Sequence, residues 1–248
     1  MRSEPRHAHG SVRSVGVLAR ALSELNTQAL ILDMDDTLFR EVDYVKSGYT
    51  AVCRWLGPTL KVPGESLLER LHEIFRSPAR SRAFDVLLNA YGRTDLIAGA
   101  VEVYRTHRPD ITLTVDAAAL LEDAAAQRPL AVVTDGAAVM QRAKIEALGL
   151  SRFTSTLVIT DELAPGRRAW KPSPEGLTYA SAALGVDAER CVYVGDNPHK
   201  DFQAARAANM SSVRFRSAFQ LHSRCEAQEK YEPDLEVNRL IDVLKVLD

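Results

Sequence analysis

Residues 29–37 read ALILDMDDT: Ala29-Leu30-Ile31-Leu32 run straight into Asp33, Met34, Asp35, Asp36 and Thr37. Four apolar residues bounded by acids have the length of a strand buried on both faces, because a carboxylate left unpaired in a core is costly. The acids therefore stand where the strand leaves the core. Asp33 and Asp35 alternate with Met34, so both carboxylates can reach one side of the sheet end while Met34 packs inward. A turn or a helix N-cap favours the same residue types. Taken alone, the stretch leaves both roles open.

The same event recurs twice. Leu130-Ala131-Val132-Val133 meets Thr134-Asp135-Gly136, and Cys191-Val192-Tyr193-Val194 meets Gly195-Asp196-Asn197. A weaker strand over 156–160 precedes Asp161 and Glu162, and 212–215 adds another. Helical spacing fills 116–126, 138–148, 174–184 and 202–208, with Gly149 and Gly185 where C-caps would sit. This alternation predicts an α/β fold: a Rossmann-like, doubly wound parallel sheet covered on both faces. Ligands in such folds bind outside the carboxyl ends of the strands. The polar residues cluster there.

One interval breaks the rhythm. From Arg40 to Pro109 no strand is evident, only helical patterns such as 66–75, 82–90 and 96–105. An inserted α-helical cap over 41–109 is expected, closing over a core formed by 15–40 and 110–248. A helix over 15–25 leads into the first strand, 1–14 forms a terminal segment without stable order, and a last helix over 235–247 closes the fold. Arg2, Arg6, Arg13, His7 and His9 crowd that first segment, but no apolar stretch follows, so it does not read as a secretory signal.

Composition narrows the function classes. The 248 residues carry 31 basic and 33 acidic side chains, a net charge of −2, which supplies no basic footprint for nucleic acid. No apolar run approaches the roughly 18 residues of a membrane span. Cys53, Cys191 and Cys225 are far apart, odd in number and without CxxC spacing. That argues against a disulfide framework or structural zinc and for a reducing, cytoplasmic compartment.

Two carboxylates one residue apart suit a nucleophile or metal ligand beside a proton carrier. Thr134-Asp135-Gly136 offers a hydroxyl and free backbone N–H groups at a strand-to-helix junction, which suits phosphate oxygens. Lys171, in Trp170-Lys171-Pro172-Ser173-Pro174, precedes a helix start and could neutralise a phosphate or a carboxylate. Asp196 and Asp201, in GDNPHKD (195–201), are hard oxygen ligands of the kind Mg²⁺ takes.

In this order, DMDDT, Thr134, Lys171 and GDNPHKD resemble the four motifs of the haloacid dehalogenase superfamily of phosphohydrolases, over roughly 29–216. The resemblance is to subfamily I, with a helical C1-type cap. It implies that Asp33 is a nucleophile forming an aspartyl-phosphate, and that Asp35 protonates the leaving oxygen and then activates water. It implies that Thr134, Asp135 and Gly136 hold the phosphoryl group and that Lys171 pairs with Asp33 and the phosphate. The implied Mg²⁺ site comprises Asp33, Asp35 through its carbonyl, Asp196 and Asp201. Members that cleave carbon–halogen bonds lack a counterpart of Asp35, so its presence favours phosphoryl chemistry.

The resemblance thus implies a Mg²⁺-dependent phosphatase acting on a small phosphorylated metabolite: a sugar phosphate, phosphoglycolate or a nucleoside monophosphate. No nucleic acid or membrane partner is implied, and a monomer or homodimer is expected. A phosphomutase shares these motifs, and a non-catalytic binding protein on the same scaffold is a third reading. Tyr44, Lys46, Arg80, Arg82, Arg105, His107 and Arg108 are candidate cap contacts to the substrate body. His199 reads as a loop residue and not a ligand, Trp170 as cover for the lysine stem or the core, and Cys53 as cap packing.

Overall fold

The computed structural model describes residues 27–247. The expected segment 1–14 and helix 15–25 lie outside them. Among the described residues six strands form one sheet: β1 (Ala29–Leu32), β2 (Leu130–Thr134), β3 (Thr156–Ile159), β4 (Cys191–Gly195), β5 (Ser211–Phe215) and β6 (Leu235–Val237). Their order is β3-β2-β1-β4-β5-β6 and every pairing is parallel. Leu32 of β1 pairs with Val132 on one side and Val194 on the other, so the ends of β1, β2 and β4 lie side by side. The chain winds outward from β1 through β2 and β3, then returns to β1's other edge. Asp33 follows the strand at that switch point, where open α/β sheets form their crevice.

The alternation of side chains explains the two covered faces. Leu30, Leu32, Val132, Val192 and Val194 point to one face and join Leu120 and Leu121 of α5 (Val115–Gln127), the fifth helix among the described residues, and Leu148 of α6 (Ala138–Leu148). Ala29, Ile31, Ala131, Val133 and Tyr193 point to the other and join Leu177 and Ala180 of α7 (Glu175–Leu184) and Ala204 of α8 (Asp201–Ala207). Each such leucine or isoleucine contributes roughly 1.5–3 kcal/mol on full burial. Gly149 and Gly185 end α6 and α7 as expected. Among the described residues no helix is long and apolar enough to cross a membrane.

Between β1 and β2 lie α1 (Glu41–Leu60), α2 (Gly64–Phe75), α3 (Ala83–Ala90) and α4 (Ile97–Thr106). They share an apolar cluster of their own, including Tyr49, Val52, Cys53, Leu56, Leu71 and Phe84. Tyr44 of α1 instead belongs to the sheet's core, which seats this helical layer against the strand ends.

The C-terminal expectation is corrected. Residues 235–247 form β6, a 3₁₀ turn (Leu240–Val243) and one helical turn (Leu244–Leu247). The burial of Leu235-Glu236-Val237 is buried-exposed-buried, the period of a strand. Asp234 fixes the register: its N–H donates to Ser212 O (3.0 Å), and its Oδ2 accepts from Ser212 N (2.7 Å) and Oγ (3.0 Å). Backbone pairing to the open edge of β5 outweighs the helical pattern.

Candidate active site

Three motifs converge on one buried lysine. Lys171 Nζ donates to Asp33 Oδ1 (2.5 Å) and Tyr193 OH (2.6 Å) and lies 2.9 Å from Asp201 Oδ1. Tyr193 OH in turn donates to Asp201 Oδ1 (3.0 Å), and Asp201 Oδ2 accepts from Asn197 N (2.8 Å). A Cβ on Gly195 would stand 2.5 Å from Asp201 Oδ2, so the last residue of β4 must be glycine for that carboxylate to reach the site. Burial works against the lysine's charge, but Asp201 and then Asp33 outweigh it and hold the ammonium well above its usual range.

Asp33, Asp196 and Asp201 bring carboxylate oxygens within 4.8 Å of one another, all three buried. Burial pushes Asp33 up to about 7, with Asp201 adding repulsion against the pull of Lys171. Asp196 is held well above the ordinary carboxylate range by burial, then by Asp201 and Asp33. Its Oδ2 is buried without a hydrogen-bond partner among the described residues. Three crowded carboxylates with an orphaned oxygen fit a hard divalent cation. The carboxylate of Asp35 is not among them.

Asp35 has a separate set of partners. Its Oδ1 accepts from Lys144 Nζ (2.5 Å), and its Oδ2 from Gln141 Nε2 (2.8 Å) and Thr134 Oγ1 (3.3 Å). Gln141 Nε2 also donates to Thr134 Oγ1 (2.5 Å). Burial alone would raise this carboxyl, but Lys144 and then Gln141 hold it below the usual range. The Tyr44 ring centroid lies 4.3 Å from the Lys144 ammonium, a cation–π contact between the helical layer and the sheet domain.

Gly136 turns the chain after Thr134 with φ 142°, and a Cβ there would also meet the Gln141 side chain at 2.8 Å. No hydrogen bond among the described residues engages the N–H of Gly136 or Ala137, which leaves two donors for an anion. The Asp135 carboxylate is engaged within the fold. Its Oδ1 accepts from Thr160 Oγ1 (2.9 Å) and Lys171 N (3.1 Å), and its Oδ2 from Lys200 Nζ (2.7 Å). That carboxylate is a clasp joining β2, the Lys171 loop and the fourth motif; only the backbone after it is offered to a ligand. Asp36 is likewise turned away, accepting from Glu41 N and Leu221 N (both 2.8 Å).

Sequence reasoning missed Tyr193, Gln141, Lys144 and Lys200. A signal existed for two of them: Gln141, Lys144 and Leu148 share the inward face of α6, where two polar residues stand at apolar positions. Of the cap candidates, Tyr44 and His107 are buried, with Tyr44 OH and His107 Nε2 unpartnered among the described residues. Arg80, with Arg76, Arg224 and Gln220, lines a cavity of about 920 Å³, while Lys46 and Arg108 line another of about 340 Å³. Arg82 and Arg105 are exposed. Trp170 Nε1 donates to Asp161 Oδ1 (3.2 Å), and Cys53 packs inside the helical layer as expected.

The model of the haloacid dehalogenase-like hydrolases matches residues 27–209. A glyceraldehyde 3-phosphate phosphatase of Methanopyrus kandleri is 29% identical over 238 residues, covering 89% of this chain and 98% of that one. A phosphoglycolate phosphatase of Neisseria meningitidis is 30% identical over 199 residues, covering 76% and 80%. Among solved structures, a magnesium-bound protein of Bacillus subtilis superposes with a TM-score of 0.62 at 18% identity, covering 90% of this chain and 99% of that one. That likeness concerns the fold.

Proposed function

We infer, for a chain that belongs to the haloacid dehalogenase-like hydrolases, a Mg²⁺-dependent phosphatase that works through an aspartyl-phosphate on Asp33. It is an enzyme of the phosphomonoester hydrolase type. The observation that carries the mechanistic reading is Lys171 bound between Asp33 and Asp201 beside the orphaned oxygen of Asp196. Asp33, Asp196 and Asp201 would hold Mg²⁺, which supplies positive charge to the transferring group when bound. The helices between 41 and 109 would act as the cap.

An oxygen of Asp33 attacks phosphorus, and the bond to the leaving oxygen breaks as that oxygen takes a proton from Asp35. Asp35, now ionised, removes a proton from water; the resulting hydroxide attacks phosphorus and releases Asp33 and inorganic phosphate. Lys171 keeps Asp33 oriented and offsets its charge, while Thr134 and the N–H groups of Gly136 and Ala137 receive the phosphoryl oxygens. Lys144 favours the ionised form of Asp35, which serves the second step, while the negative phosphate entering beside it favours the protonated form that the first step needs.

The substrate is a small phosphomonoester; relatives are named for glyceraldehyde 3-phosphate, phosphoserine and phosphoglycolate. Three unpaired cysteines accord with a reducing cytoplasm, and a monomer or homodimer is the expected state. The test is phosphate release from these three compounds, sugar phosphates and nucleoside monophosphates, with Mg²⁺ and with EDTA. Mg²⁺-dependent release from one class is expected. Isomer formation without release would make it a phosphomutase, and bound Mg²⁺ without turnover a binding protein.

Lys144→Met leaves Asp35 with Gln141 and Thr134. Its kcat should fall about 10- to 100-fold, a part of the about 10²–10⁴ that general acid–base groups supply, with KM little changed. Because the Asp35 side chain keeps 21% exposure, the stability loss should be about 2 kcal/mol, below the about 3–5 of a fully buried broken pair. Steady-state kinetics and urea unfolding check both; an unaltered kcat would leave Lys144 a purely structural partner.

A further inference from the structure

Among the described residues outside the carboxylate site, one other group of side chains has a metal's ligand chemistry. His199, His222 and Cys225 bring ring nitrogens and a thiol within 4.8 Å of one another. His199 comes from the loop after β4; His222 and Cys225 come from the segment after β5 in the spacing H-x-x-C. The two rings meet edge to face with centroids 5.6 Å apart. No hydrogen bond among the described residues engages either imidazole or the thiol, so all three donor sets are free.

Their backbone, by contrast, is firmly held. Arg214, buried on β5, donates through Nη2 to His222 O (3.1 Å) and Cys225 O (2.7 Å). Cys225 N donates to His222 O (3.0 Å), and Arg216 Nη2 reaches Cys225 O (3.4 Å). Just upstream, Gln220 Nε2 donates to Asp36 O (2.8 Å) and Phe215 O (3.1 Å), tying the segment to the β1 loop. Burial, then His199 and Arg80, hold the His222 imidazole below its usual range, in the neutral form that ligates. A fixed backbone presenting unengaged donors is the arrangement of a preformed site.

We propose that His199, His222 and Cys225 form a second metal site, for Zn²⁺ or a related late first-row divalent ion, beside the fourth motif. Two imidazoles and a thiolate suit such borderline ions and not Mg²⁺, and a water would complete a tetrahedral shell. Zn–S bonds of about 2.3 Å and Zn–N bonds of about 2.0–2.1 Å require the donors to draw together by about 1 Å. His199 is exposed and can turn that far without disturbing the core. Binding releases the Cys225 thiol proton to solvent as the sulfur–metal bond forms. This revises the reading of His199 as a plain loop residue. Occupancy would pin the loop leading to Asp201 against the segment that holds Asp36.

The test uses the full chain with the carboxylate site saturated by excess Mg²⁺, titrated with Co²⁺. One Co²⁺ per chain should bind with a sulfur-to-cobalt charge-transfer absorption, and Zn²⁺ should bleach it. Cys225→Ser, a one-atom change, should abolish the band. His222→Ala should weaken binding by more than the about 10- to 100-fold typical of outer-shell changes. A wild-type titration without the band, an identical band in Cys225→Ser, or displacement by Mg²⁺ would each overturn the site.

Discussion

Asp33→Asn is expected to lower phosphate release by about 10⁴–10⁶-fold, the range seen when a covalent nucleophile is removed, while the fold persists. The amide cannot form the acyl phosphate, yet it has the shape of the carboxyl it replaces. In the metal-free chain that carboxyl sits at about 7, because burial and Asp201 repel its charge. A neutral side chain is therefore already half-populated near neutrality. Lys171 keeps Asp201 Oδ1 at 2.9 Å and Tyr193 OH at 2.6 Å, so the stability cost at pH 7 should stay within about 1 kcal/mol.

The sign of the pH effect follows from the same shift. A carboxyl raised from 3.8 in the unfolded chain to about 7 in the folded one contributes stability that is fully present below 3.8 and lost as pH rises through 7. Glu41, raised to about 7 by burial and then by Asp35, acts in the same direction. Between pH 5 and 8 the metal-free wild type should lose stability faster than Asp33→Asn, and Mg²⁺ should flatten the wild-type slope. Thermal melts across that range, with Mg²⁺ and with EDTA, check it. Parallel slopes, or phosphatase activity retained by the variant, would remove Asp33 from its assigned role.

How far the sequence speaks depends on how local the physics is. β1, β2 and β4 are legible because a parallel strand buried on both faces must be apolar throughout and then stop abruptly at its acids. Asp33, Asp35 and Asp196 are legible as strand-end polar groups, and Lys171 as a charged residue ahead of a helix start, all in a fixed order. Tyr193 was not, since a tyrosine in a buried strand reads as core until its hydroxyl is seen between Lys171 and Asp201. Gln141 and Lys144 needed the packing of α6 against Asp35, a contact across more than 100 residues of chain. The role of Asp135 likewise hinges on Thr160 and Lys200, which only the fold brings near. α1 escaped detection because Gly48, Gly57 and Pro58 interrupt its pattern. β6 escaped because three residues alternate too briefly to outvote a helical spacing.

Lys171→Met should be the most destabilising single change in the site, and its pH dependence shows why. The Lys171 side chain is fully buried and is the largest influence holding Asp33 down against burial. Removing one partner of such a pair costs about 3–5 kcal/mol where the remaining charge cannot escape. Here it can escape by taking up a proton, so the loss should depend on pH. Without the ammonium, Asp33 rises above 7; its stabilising contribution is then present at low pH and lost as pH climbs through that higher value. Urea unfolding should show a loss approaching the full figure at pH 8.5 and a much smaller one at pH 5.5. Added Mg²⁺ should restore part of it at the higher pH, because a divalent cation among Asp33, Asp196 and Asp201 supplies the missing positive charge. In kcat the variant should lose about 10²–10³-fold, the scale of one electrostatic donor to a transferring group. A stability loss equal at both pH values would mean that the lysine acts through packing of its stem. The charge account of the site would then fail.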